Sequence, residues 1–189
     1  MNTSLELPWH RYALIAELAK RLEPVSRQFG KTALQKLVYF LQTIYGVDCG
    51  YAYEFYSYGP FASQLLNDLD LVAHFGGVSV QPVTSMMGGY AIHPGKEADS
   101  LRQRDAAFLD KAKTALDSLV ETYGNMTAKD LELRATIVYI ERDMQRKNKP
   151  ADKGEICRLV GEIKPRFTSQ EIGQAVDELR GKDHIRLAS

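Results

Sequence analysis

Gly30-Lys31-Thr32 has the residue types that close a phosphate-binding loop, in which backbone amides wrap the phosphates and a lysine supplies charge. The full motif needs a glycine five residues before Gly30; Val25 stands there, and no strand pattern leads into the segment. The spacing therefore predicts that Gly30 and Lys31 open a helix. Glu162-Ile-Lys164 has the Glu-x-Lys of metal-dependent nucleases, whose carboxylates converge on a cation from strand ends. Here the tripeptide closes a helical pattern before Pro165, so it is expected to be a solvated helix end. His10, His74, His93 and His184 show no His-x-x-x-His or Cys/His spacing of the kind that brings zinc ligands together. No serine sits in a Gly-x-Ser-x-Gly elbow. Cys49 and Cys157 are far apart, without Cys-x-x-Cys, and read as reduced thiols of a cytoplasmic protein. No catalytic residue, metal ligand or cofactor site is expected, so an enzymatic role is unsupported and a non-enzymatic one is expected.

The elements around these residues are legible from periodicity. Leu14, Ile15, Leu18 and Leu22 recur at helical spacing between Pro8 and Pro24. Leu34, Leu37, Val38, Leu41, Ile44 and Tyr45 form one apolar stripe of a second helix, with Lys31, Gln35, Lys36 and Gln42 mostly off it. Residues 51–58 switch to an alternating aromatic strand: Tyr51, Tyr53 and Phe55 on one side, Glu54, Tyr56 and Tyr58 on the other. Gly59 then suits a cap and Pro60 a first helical turn, leading into Leu65, Leu66, Leu69 and Val72. Tyr53 and Phe55 are expected to share a core with Leu37, Val38 and Leu41.

Val78–Gln81 and Gly89–His93 read as two short strands joined by a flexible Thr84–Gly88 connection. Helical spacing returns with Phe108, Leu109, Ala112, Leu116, Leu119 and Val120, and again with Leu133, Ile137, Ile140 and Met144 after Thr127. Ile156, Leu159, Val160 and Ile163 carry a further helix. Thr168-Ser-Gln-Glu171 is a capping signal for the last one, and His184-Ile-Arg-Leu187 could finish as a strand. The fold class is α+β, mainly α-helical, with about seven helices, a small antiparallel sheet and winged-helix-like elements. One compact domain over 1–189 is expected, with a subdivision into 1–95 and 96–189 left open.

Composition narrows the partners. Hydrophobic residues at 44% and charged residues at 25% are globular values, so disorder is not expected. The 24 basic and 24 acidic side chains cancel, which argues against a polyanion as main partner. Glu6, His10 and Arg11 interrupt the start, so no signal peptide is expected, and no apolar run approaches a membrane span. The tyrosine-rich strand could stack nucleobases, but from Phe61 to Gly95 there is no lysine or arginine, and Asp68 and Asp70 add negative charge. A helix and wing that read DNA must neutralise phosphates. The concentrated basic residues are instead Arg142, Arg146, Lys147 and Lys149, which suit a helix C-terminus.

Lys31-Thr-Ala-Leu-Gln-Lys-Leu-Val-Tyr-Phe40 resembles the Thr-Lys-Leu-Gln-Lys-Leu-type helix of the SocA-like antitoxins, or Panacea domain. Phe55-Tyr-Ser-Tyr-Gly-Pro60 resembles that family's Ala-Trp-x-x-Gly-Pro segment, with Tyr56 in place of Trp, and more closely the Tyr-x-Tyr-Gly-Pro of the uncharacterised YwgA-like proteins. The resemblance implies a helical domain with a small sheet that binds protein partners, and it supplies no catalytic residues. The expected function is thus a regulatory or antitoxin-like module whose partner could be a toxin encoded beside it. A winged-helix transcriptional regulator is the alternative, and a homodimer is compatible with either. The partner-binding candidates are Tyr56, Tyr58, Gly59 and Pro60, because rigid tyrosines at a fixed corner lose little entropy on binding. The Arg142–Lys149 face comes second.

Overall fold

A computed structural model describes residues 7–84 and 88–188. The described residues form eight helices and four short strands, an α+β, mainly helical fold. In chain order these are α1 (Trp9–Leu22), α2 (Lys31–Thr43), β1 (Glu54–Tyr56), β2 (Gly59–Phe61), α3 (Ser63–His74), β3 (Val78–Pro82), β4 (Tyr90–Pro94), α4 (Ala98–Gln103), α5 (Ala106–Tyr123), α6 (Ala128–Arg146), α7 (Lys153–Ile163) and α8 (Ser169–Gly181). The helix not anticipated from periodicity is the short α4. No helix among the described residues is long and apolar enough to cross a membrane. The chain divides into two compact units: one runs to Ala52 and resumes over 62–127, and the other takes 53–61 and everything from Ala128. Glu6 and residues 85–87 of the expected Thr84–Gly88 connection lie outside the described residues.

In the first unit α1 packs on α3, α4 and α5, and α2 packs on α5. Gly30 opens α2 with an extended backbone, as its sequence predicts. The stripe reading of α2 needs correction, because every residue from Ala33 to Leu41 is buried, Gln35 and Lys36 included. A helix enclosed on all sides must satisfy its polar side chains internally. Gln35 does so with the backbone of Ala62, Nε2 donating to the carbonyl at 2.8 Å and Oε1 accepting from the N–H at 2.9 Å. Two turns later Gln42 treats Tyr51 in the same way, at 2.9 and 3.2 Å. The two glutamines thus clamp the backbone on either side of the 53–61 excursion. Gln35→Leu leaves the Ala62 N–H without an acceptor, while its carbonyl keeps the Leu65 N–H. A loss of about 1–3 kcal/mol in urea unfolding is expected. A neutral variant would show that this clamp contributes nothing.

The strands β3 and β4 pair antiparallel from Val78↔Pro94 to Pro82↔Tyr90, the hairpin expected from the sequence. Gly95 is required just beyond it, since a Cβ there would lie 2.1 Å from the Gly76 carbonyl oxygen.

The aromatic strand differs from expectation. Only Glu54–Tyr56 are extended and paired, and the chain turns at Ser57-Tyr58 into β2 with the register Glu54↔Phe61, Phe55↔Pro60 and Tyr56↔Gly59. Gly59-Pro60 therefore belongs to a hairpin, and α3 begins three residues later at Ser63. Gly59 supplies the left-handed backbone, φ +86°, that the turn needs. Bonded and non-bonded pairs alternate in an antiparallel ladder, so Pro60 falls where no N–H is needed. Tyr53 and Phe55 consequently fall in the second unit, whereas Leu37, Val38 and Leu41 fall in the first.

In the second unit α6 packs on β2, α7 and α8, burying Ile137, Val138, Ile156, Val160, Ile172 and Val176. Residues 184–188 form no strand, a further correction. The Arg186 N–H donates instead to the Glu141 carboxylate at 3.0 Å, which leaves the segment without a ladder partner there. The capping signal of α8 is realised in full: Thr168 accepts from the Glu171 N–H, and the Glu171 carboxylate accepts from the Thr168 N–H at 2.7 Å. That backbone bond, then Lys129 and the Thr168 hydroxyl, hold the Glu171 carboxyl at about 2, below its ordinary 4.5. A depressed carboxyl stabilises the fold above its unfolded value and loses that contribution as pH falls through the folded one. Wild type should therefore lose its advantage over Glu171→Gln between about pH 5 and about pH 2. A difference independent of pH in urea unfolding would contradict this role.

Candidate partner-binding site

The second unit builds its most exposed aromatic surface on a buried ion cluster. Lys164 ends α7, where its N–H donates to the Val160 carbonyl at 2.8 Å. Its side chain is 4% exposed and lies against Glu132, 3% exposed, with Nζ 2.8 Å from Oε1. Arg166 pairs with the other oxygen of the same carboxylate. Nζ of Lys164 also donates to the Ser57 carbonyl, in the turn between β1 and β2. The same ammonium sits 5.7 Å from the centre of the Phe55 ring, which in turn packs on Tyr139 at 4.9 Å. Helix α6 thereby holds the hairpin by ring contact at its base and through Glu132 and Lys164 at its turn. The expected solvated helix end holds for Glu162, exposed and 2.6 Å from Arg158. It fails for Lys164, whose partners lie far away in sequence.

The hairpin presents Tyr56 at 54% and Tyr58 at 62% exposure. The Tyr56 ring meets Phe61 edge-on at 5.3 Å, and its hydroxyl donates to Glu54 at 3.1 Å, which pushes the phenol pKa up. Arg166 lies 5.9 Å from the Tyr58 ring centre. Gly59 and Pro60 are buried and shape the turn without reaching solvent. Of the four partner-binding candidates, Tyr56 and Tyr58 are therefore exposed, and Gly59 and Pro60 are buried beside them.

The second candidate face is partly paired, four cations against the two carboxylates Glu141 and Asp143. Arg142 pairs with the buried Glu141 and donates to the His184 carbonyl at 3.2 Å. Arg146 and Lys147 share Asp143, at 3.5 and 2.6 Å, and Lys149 is exposed.

Sequence reading also missed a polar cluster in the first unit. Asp68, expected to add surface charge, is fully buried. It accepts from the Tyr51 hydroxyl at 2.9 Å and from Gln64 at 2.8 Å, with the Arg11 guanidinium 3.7 Å away and lying over the Tyr51 ring. Nothing in local periodicity marks an aspartate as internal. The same unit carries an open surface groove of about 600 Å³ lined by Tyr45, Val47, Phe108, Ala112 and Ala115 among others. Burial pushes the Cys49 thiol up to about 12, so it stays protonated and unreactive. Among the described residues no group of three or more His, Cys, Asp or Glu side chains is arranged to hold a metal ion. No protein-family model matches the chain, and no curated protein matches it.

Proposed function

We propose that this chain is a non-enzymatic, cytoplasmic regulatory module of the antitoxin-like kind, which binds a protein partner through the tip of the β1–β2 hairpin. One observation carries the reading. The two most exposed large aromatic side chains stand together on a turn whose carbonyl is tied to a buried ion cluster. Tyrosines held in this way offer contact area with little rotamer entropy left to lose. The free thiols Cys49 and Cys157 suit a reducing compartment. A DNA-reading role draws less support, because the 24 basic and 24 acidic side chains cancel and residues 61–95 carry no lysine or arginine to neutralise phosphates.

The test is capture of the partner from extracts of the native host with tagged protein, wild type against Tyr58→Ala. Tyr58 is solvent-exposed, so the variant should unfold at the same denaturant concentration as wild type. Its affinity for the captured protein should fall by about tenfold or more. Unchanged affinity would place the interface elsewhere.

A further inference from the structure

Tyr58 at the tip has a cation beside it with donors to spare. Arg166 spends one nitrogen on Glu132, whose other oxygen belongs to Lys164. One buried carboxylate thus faces two cations, and the cluster keeps an excess positive charge. The Arg166 side chain is 48% exposed. Its guanidinium carbon lies 5.9 Å from the Tyr58 ring centre and 5.2 Å from that of Phe167. Its other nitrogens make no hydrogen bond to the described residues. Lys129, the next cation around Phe167, is already paired with Glu171 at 3.1 Å.

Resting on the hairpin-tip reading above, we infer that the tip docks an acidic segment of its protein partner, a carboxylate of that segment meeting the outer edge of Arg166. A guanidinium held by Glu132 through one nitrogen is already oriented, and its remaining planar N–H groups suit a second carboxylate. The flanking rings exclude water from that contact and receive the apolar neighbours of the acidic residue. Tyrosine and arginine side by side are the composition of an interface hot spot. Glu54, which accepts from the Tyr56 hydroxyl at 3.1 Å, is a carboxylate on the hairpin itself, so the acidic residue is assigned to Arg166 on the Tyr58 side of the tip.

The experiment selects short random peptides displayed on phage against the immobilised full chain. The selected peptides are then measured on wild type, Tyr58→Ala, Arg166→Gln and Arg166→Lys, with the unfolding midpoint of each variant checked. Lysine keeps a charge beside Glu132 but lacks the fork, so it separates loss of recognition from loss of fold. The expected result is enrichment of Asp- and Glu-containing peptides whose affinity falls about tenfold with Tyr58→Ala and with either Arg166 variant, and falls with added salt. Peptides that need Tyr58 but carry no acidic residue and ignore Arg166 would overturn the acidic partner while leaving the tip as the site. Peptides indifferent to Tyr58 would overturn the tip itself, and failure to enrich any peptide would count against the inference.

Discussion

Lys164→Met should destabilise the fold by about 3–5 kcal/mol, the range for breaking a buried ion pair from one side. Methionine fills a similar volume, so the loss reports charge and hydrogen bonding rather than a cavity. Two groups suffer. Glu132, almost fully buried, is left with Arg166 alone, and the Ser57 carbonyl loses the ammonium that meets it. Adding Glu132→Gln should recover part of the loss, because it removes the carboxylate left short of a partner. Equilibrium urea unfolding of the single and double variants measures both. A single-variant loss below about 1 kcal/mol would mean that the cluster does not hold the hairpin.

Leu41→Ala should cost about 2–5 kcal/mol. Leu41 is wholly inaccessible on a helix buried from Ala33 onward, and its neighbour Phe40 is stacked against Tyr123 at 4.4 Å. Such surroundings have little room to relax into the space of the missing methyl groups, so the cost includes a residual cavity as well as lost transfer energy. Denaturant unfolding again provides the measurement. A change under about 1 kcal/mol would require the site to collapse freely, which so enclosed a position should not do.

The legible parts of this molecule are those governed by near neighbours in sequence. The start of α2 at Gly30-Lys31, the capping box at Thr168 and Glu171, and the β3–β4 hairpin all follow from residues within a few positions of each other. The Tyr56 and Tyr58 surface was legible only in part: Glu54 marks the polar side of β1 for Tyr56, but Tyr58 is exposed because it sits in the turn, which strand alternation does not show. Three features were not. Gly59-Pro60 satisfies both a helix start and a hairpin, and local spacing does not choose between them; the turn carbonyl of Ser57 is held by Lys164, more than a hundred residues away in the chain. Gln35 and Lys36 look solvent-facing by spacing, yet α2 is surrounded. Lys164 looks like a helix-end charge, because its partner Glu132 lies on a different helix. For Gln35 and Lys164 a polar side chain is satisfied by a residue distant in the chain, and periodicity carries no information about that.

The most direct test of the hairpin tip as the binding site is photo-crosslinking in the native host, with a photoreactive phenylalanine analogue at position 58 and, as control, at the exposed Phe75 of the other unit. The expected result is a discrete covalent adduct with one partner protein at position 58 and none at position 75. An adduct at position 75 with none at position 58 would contradict it.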